Sequence, residues 1–283
     1  MSSSSTTGDD EAGQVPDNLP GLTSVRDLAA FERRMATARV FQLEGDPTIA
    51  AGDFTFTHLQ AIHRWILQDV YAWAGRPRTT DTQAMGMAHC RPAFLAGELE
   101  RVFAAIAARR PSHVDRDDAI ATVAEHWGEL TGVHPFVDGN SRSQRVFFHR
   151  LFADSGWQVD WRVIDASAVH AARHVAMATT DSSFLAAQLA PGVTRGGDTP
   201  PGSLTATQGT RDPSRASGLF AAMMAHRRAG GNAGSFAAQL AAAGPSRPGA
   251  GVRRSVSSEV SSRPTPPVSS RPDERGNSPR RGQ

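Results

Sequence analysis

The sequence predicts an all-α domain, a helical bundle carrying one small β-hairpin and followed by a disordered basic C-terminal tail. Three observations predict it. Apolar residues recur at spacings of three and four through 55–73, 91–110 and 115–131, the period of helices with one buried face. Residues 76–91 lack that period and hold β-compatible threonines and a turn glycine. From Pro191 onward, Gly, Pro, Ser, Thr and Arg dominate. The bundle is therefore expected over 21–190, after a disordered Ser/Thr/Asp/Gly-rich segment at 1–20. The low-complexity tail is expected over 191–283, with one short Ala-rich helix at 214–245.

The elements follow in order. Ser24 suits a helix N-cap, with Asp27 three residues on, and Leu28, Phe31 and Met35 line one face of a helix over 24–39. Residues 43–55 read as a loop with Gly-Asp turns. A helix from Thr55 places Leu59, Ile62, Ile66, Val70 and Trp73 on one stripe; Gly75 caps it and Pro77 blocks its continuation. Gly86 turns the hairpin. Phe94, Leu95, Leu99, Val102, Phe103 and Ile106 give the next helix, ended by Pro111. Asp115, Asp117 and Asp118 open another that runs to Thr131, where the macrodipole favours acids. Val146, Phe147, Leu151 and Phe152 form the buried face of a further helix capped near Gly156, and a last helical region spans 163–190.

Composition excludes several chemistries. All 30 basic side chains are arginine, so Walker-type, kinase-strand and Schiff-base lysines are ruled out. The single Cys90 forbids an internal disulfide or a Cys-paired zinc site, which fits a reducing, cytoplasmic origin. No run approaches the length of a membrane span, and the N-terminus lacks the basic and apolar regions of a secretory signal. Residues 191–283 carry 13 arginines against five acids, a net of +8 on a body near −6. Such a tail is a recognised pattern for interaction or targeting; it reads first as a solvated coil, with a tether to an acidic surface or a signal for translocation into a target cell as the alternatives. A nucleic-acid surface is not expected, because only Phe220 and Phe236 could stack on bases there.

The chemistry concentrates in His134-Pro-Phe-Val-Asp-Gly-Asn-Ser-Arg-Ser-Gln-Arg145. The periodic pattern breaks at Gly139-Asn140, and Asn140 and Ser141 suit the start of a new helix, whose unpaired N–H groups attract anions. Arg142 and Arg145 project on one side of its first turns, where guanidinium forks match phosphate oxygens. Asp138 is a lone carboxylate beside that anion site, the usual protein share of a Mg²⁺ site. His134 titrates near neutrality and suits a general base for a hydroxyl. Phe136 anchors the loop.

This stretch resembles the signature of the Fic (filamentation induced by cAMP) family, His-Pro-Phe-x-Asp/Glu-Gly-Asn-Gly-Arg-x-x-Arg. The segment Asp69 to Gly75, followed by Arg78 and Thr79, resembles the approach to that family's hairpin flap. The resemblance implies a Fic-type bundle and a protein adenylyltransferase, which transfers AMP from ATP to a Ser, Thr or Tyr hydroxyl of a target protein. It implies that His134 deprotonates that hydroxyl and Asp138 holds Mg²⁺ on the α- and β-phosphates. Gly139, Asn140 and Ser141 would cradle phosphate, Arg142 would grip the β/γ end and Arg145 would contact the γ-phosphate. Arg78, Thr79 and Thr80 belong to the flap that aligns the target backbone by strand addition.

Ser141 stands where the family pattern has Gly. The related Doc branch has Lys there and transfers the γ-phosphate, so a Doc-like kinase, another nucleotide- or phosphate-group transferase, and a degenerate non-catalytic scaffold are the alternatives. The family's inhibitory pattern, Ser/Thr-x-x-x-Glu-Gly/Asn, has no good copy here. Glu44-Gly45 has Val40 in the Ser/Thr place, and Ser255 to Glu259 is followed by Val260. A toxin or effector restrained by a separate small antitoxin that supplies the inhibitory glutamate is therefore expected. His170 and His174 have a metal-binding spacing without a third ligand, and His126 and His149 read as packing or surface residues.

Overall fold

The computed structural model describes residues 15–196, 199, 202–205 and 212–243. Within them the chain forms nine α-helices and two small antiparallel sheets. Helix α1 (Val25–Gly45) starts where Ser24 Oγ accepts the Asp27 N–H at 3.3 Å, and runs six residues beyond the expected end. Val40 and Leu43 extend its buried stripe into the segment expected to be loop. Helix α2 (Phe56–Leu67) buries Leu59, Ile62 and Ile66; the chain then turns until Gly75, at φ +82°, sends it toward the hairpin. Strands β1 (Gln83–Ala84) and β2 (Met87–Ala88) meet through Met85-Gly86, both at positive φ, as a two-residue hairpin with strand-matched twist requires.

Helices α3 (Leu95–Ala108) and α4 (Arg116–Val133) follow the expected pattern. Asp115 caps α4 by accepting the N–H groups of Asp117 and Asp118 at 2.9 and 3.0 Å. Helix α4 is central and packs against α3, α6, α7 and α5 (Asn140–Asp154). Phe147, Phe148, Leu151 and Phe152 of α5 are fully buried, each contributing roughly 1.5–3 kcal/mol of transfer free energy.

The region expected as one helix over 163–190 is divided. Asp165 caps α6 (Ala166–Thr179), Thr180 at φ +59° ends it, and α7 (Ser183–Leu189) restarts. The sequence reading missed a second sheet. Strand β3 (Trp157–Val159) pairs antiparallel with β4 (Val193–Arg195), Gln158 opposite Thr194. Both strands are only three residues long, too short to show a period.

Packing also continues past residue 190. Beyond β4, helix α8 (Pro213–Arg228), capped by Asp212, lies on α6 with Ala216 and Met223 buried, and Arg215 pairs with Asp165. The Ala-rich stretch is two helices, because Gly230 at φ +79° breaks it before α9 (Ala233–Ala242). Phe236 of α9 meets Phe184 of α7 edge-on at 5.9 Å. At the other end, Leu19 N–H bonds Val70 O at 2.8 Å and Asn18 Oδ1 accepts the Leu22 N–H, so residues 15–20 are tied to the body. The disorder expected over 1–14 and the low-complexity stretch over 244–283 lie outside the described residues. Among the described residues, no helix is long and apolar enough to cross a membrane.

Candidate active site

The loop from His134 to Gly139 is fixed by four side chains. Helix α4 ends at His134, which adopts a left-handed conformation, and its N–H closes on Leu130 O. Arg78, almost fully buried, gives Nε to His134 O at 2.7 Å and also bonds the carbonyls of Thr80, Cys90 and Val133. Asn140 bonds both the N–H and the C=O of Phe136, at 3.0 and 2.8 Å. His63 accepts the Gly75 N–H on Nδ1 at 2.8 Å, so Nε2 carries the proton and donates it to Asp138 O at 2.8 Å. Phe136 lies fully buried against the His63 ring at 3.8 Å.

Gly139 adopts φ +77°, and a Cβ there would stand 2.6 Å from Leu67 Cδ1 and 3.0 Å from His63 Nε2. Gly139→Ala is therefore expected to destabilise the fold by roughly 1–3 kcal/mol through backbone strain and overlap. Denaturant titration measures this, and an unchanged midpoint would contradict the tight approach.

Above this loop opens a cavity of about 890 Å³, walled by α1, the hairpin, the C-terminal half of α4, the start of α5 and α6. His134, Asp138, Gly139, Asn140, Ser141, Arg142 and Arg145 all line it. The structure thus brings together in one cavity the residues of the twelve-residue stretch expected to act on nucleotide, metal or target, with Phe136 buried beneath as the anchor. It does not bring in Arg78, Thr79 or Thr80. Arg78 is spent on backbone carbonyls, and Thr79 and Thr80 are exposed ahead of β1; the hairpin presents Gln83 and Ala84 to the cavity instead.

Each lining group has a defined state. No side chain caps α5, so the positive end of its dipole is left for an anion. Arg142 reaches Glu32 of α1 at 2.6 Å and stands 3.7 Å from Asp138; the other Glu32 oxygen takes the Tyr71 hydroxyl. Arg145 makes no ion pair among the described residues, and its Nε is buried without a hydrogen-bond partner there. Burial pushes its guanidinium down to about 10, with Arg142 adding to the effect and Glu44 opposing it. A buried cation so placed gains from a bound anion. The Ser141 hydroxyl accepts Nη1 of Arg173 at 3.2 Å, and Arg173 Nε bonds Thr131.

The Asp138 side chain is largely exposed, one oxygen taking the Gly139 N–H at 2.5 Å. One such carboxylate fits Mg²⁺ carried on a polyphosphate, where phosphate and water complete the octahedron. Among the described residues, no three His, Cys, Asp or Glu side chains gather to hold a metal by themselves. His170 and His174 line the cavity wall, and His174 Nδ1 bonds His170 O within the helix. His126 and His149 pack as expected, against Arg109 O and Trp161 Nε1.

Burial pushes His134 down to about 2, and His89, Arg173, His174 and Arg78 reinforce this, so its imidazole is neutral at physiological pH. Its Nδ1 is shut from solvent and has no hydrogen-bond partner among the described residues, which leaves Nε2 to receive a proton. Glu32, His63, His89 and Arg173 escaped the sequence reading. Arg173 lies between the two histidines noted for their spacing, and His89 follows the turn at Gly86; only their contacts give them meaning.

Residues 53–152 match the family model described as the Fic/DOC family. A probable protein adenylyltransferase of Sinorhizobium fredii, y4lH, is 33% identical over 147 residues, which is 50% of this chain and 73% of the relative. The chain belongs to the Fic/DOC family. The protein adenylyltransferase VbhT of Bartonella schoenbuchensis is 30% identical over 156 residues, 54% of this chain, but only 32% of VbhT is spanned. Among solved structures, the BepC effector protein of Bartonella tribocorum, with bound AMPPNP, matches with a TM-score of 0.59 at 17% identity. That match covers 66% of this chain and 96% of the other, and it is a likeness of the Fic fold.

Proposed function

We propose that this Fic-family chain transfers AMP from ATP to a Ser, Thr or Tyr hydroxyl of another protein, with His134 as general base and Asp138 holding Mg²⁺. Family membership together with relatives named protein adenylyltransferases supports an enzyme of that class. The observation that carries the finer reading is the joint exposure, in one cavity, of a neutral imidazole, a free helix N-terminus, two arginines and a lone carboxylate. BepC crystallised with the ATP analogue AMPPNP supports ATP as the nucleotide.

In this reading the target oxygen attacks the α-phosphorus, Nε2 of His134 takes its proton, and pyrophosphate leaves. Arg142, Arg145 and the N-terminus of α5 hold phosphate oxygens and offset the charge that develops. Bound Mg²⁺, held through Asp138, supplies further charge neutralisation. Asn140 acts through its backbone, because its side chain is committed to Phe136. Arg145, without an ion-pair partner among the described residues, supports the further reading of a toxin or effector restrained by a separate protein that offers it a glutamate.

A second reading, transfer of the γ-phosphate, is favoured by one observation. The Ser141 side chain occupies the place of a glycine and holds a cation, Arg173, beside the loop. ATP labelled at the α- or the γ-phosphate, incubated with Mg²⁺, the protein and a cell lysate, separates the two. Label from the α position, lost in Asp138→Ala, is expected. Label from the γ position alone would move the chain to kinase-like transfer.

A further inference from the structure

We infer that His89, on the outgoing limb of the hairpin, is a positioning residue that holds the imidazole of His134 in its reactive orientation by face-to-face stacking. The inference rests on the proposed role of His134 as base. The two rings lie 3.8 Å apart at 5° to one another, nearer to parallel than any other ring pair described in the protein. A catalytic imidazole is ordinarily aligned by a hydrogen bond on the nitrogen that does not react. His134 lacks that device among the described residues, since its Nδ1 is buried with no partner. Rotation about its side-chain bonds is opposed instead by a ring that is itself fixed.

His89 is fixed at three points. Its Nδ1 lies 2.9 Å from the Thr82 hydroxyl, its N–H bonds Thr82 O at 3.0 Å, and the next residue, Cys90, gives its N–H to Gly132 O at 2.9 Å. Arg78 then ties Cys90 O, Val133 O and His134 O together, so the segments bearing the two rings share one clamp. The ring pair therefore joins the hairpin to the base, and a target strand laid on the hairpin meets a base already oriented.

Two charged rings would repel in this stack, and the surroundings keep both neutral before the reaction. His134 faces His89, Arg173, His174 and Arg78; His89 faces Arg78 and Arg173, and burial first of all lowers both. An aromatic ring that cannot ionise should then replace His89, whereas a small side chain should not.

The test compares His89→Ala with His89→Phe in the full chain. His89→Ala is expected to lower kcat about tenfold or more while the KM for ATP changes less than about twofold, because the phosphate-holding groups lie elsewhere. His89→Phe is expected to recover most of that loss. Nitrogen-resolved NMR of His134, recorded under conditions where the variant is shown to be folded, supplies a second readout. Its titration, held low in the parent, is expected to move upward in His89→Ala, where the ring loses the cover and the repulsion of His89. Wild-type kcat in His89→Ala, or a His89→Phe as slow as His89→Ala, overturns the inference; so does an unmoved His134 titration. If the parent itself transfers no AMP, the proposed function fails, and the titration still decides whether His89 holds the ring.

Discussion

With His134 as the proposed base, His134→Ala is expected to slow AMP transfer about 10²–10⁴-fold, the range for removing a positioned general base, while ATP binding is expected to fall less than about fivefold. The asymmetry follows from the layout of the cavity. The groups suited to phosphate are Arg142, Arg145 and the N-terminus of α5, and none of them depends on the imidazole for its position. Arg142 is set by Glu32 and Arg145 by burial in α5, while the loop between is held by His63 and Asn140. What the variant loses is the neutral imidazole at the end of α4, on the loop that leads into them. Transfer rates with α-labelled ATP and calorimetric titration of the nucleotide check the two halves separately. A variant that transfers AMP at the parent rate would remove His134 from the chemistry; one that no longer binds ATP would make it a binding residue.

The twelve-residue stretch was legible because it is local. A helix end, a Pro, an apolar anchor, a Gly-Asn break and two arginines one turn apart mark the turn locally, through a left-handed His134 and Gly139 at φ +77°. The helices were legible where the apolar stripe is long, as in α3 and α4; α2 ends at Leu67, short of the Val70 and Trp73 that its stripe had implied. The two halves of the second sheet, 157–159 and 193–195, are some 35 positions apart, so no periodicity marks them. The partners of the loop were illegible for the same reason. Glu32 lies 110 positions from Arg142, His63 lies 75 from Asp138 and Arg78 lies 56 from His134. Arg78 illustrates the cost of reading proximity as role. The sequence places it beside the hairpin and suggests that it faces the target, yet a cation offered four carbonyls at a helix end is buried there instead.

Acid is expected to unfold this protein through its histidines before its carboxylates. Burial lowers His58, His63, His89 and His149 to about 4 and His134 to about 2, against about 6.5 in an unfolded chain. Above about 6.5 both states hold neutral rings and these groups contribute nothing to the pH dependence. Between about 6.5 and 4 the unfolded chain binds protons that the folded chain refuses, so stability falls as pH falls. Each such ring contributes about 1.4 kcal/mol per pH unit in that window. Several together are comparable with the whole stability of a typical domain, on the order of 5–15 kcal/mol. Carboxylates held low by hydrogen bonds, such as Asp160 beside Arg162 at about 2, add their loss only below about 3.8. Denaturant stability measured at pH 7.5 and 5.5 should therefore differ by several kcal/mol, and equal values would show that the histidines titrate normally. His63 connects this to activity. A protonated ring has no lone pair left on Nδ1 for the Gly75 N–H, and the bridge from α2 to Asp138 O loses one end. AMP transfer should then fall together with stability, on the acid side only. A rate that persists where half the fold is lost would place the chemistry outside the cavity that this bridge supports.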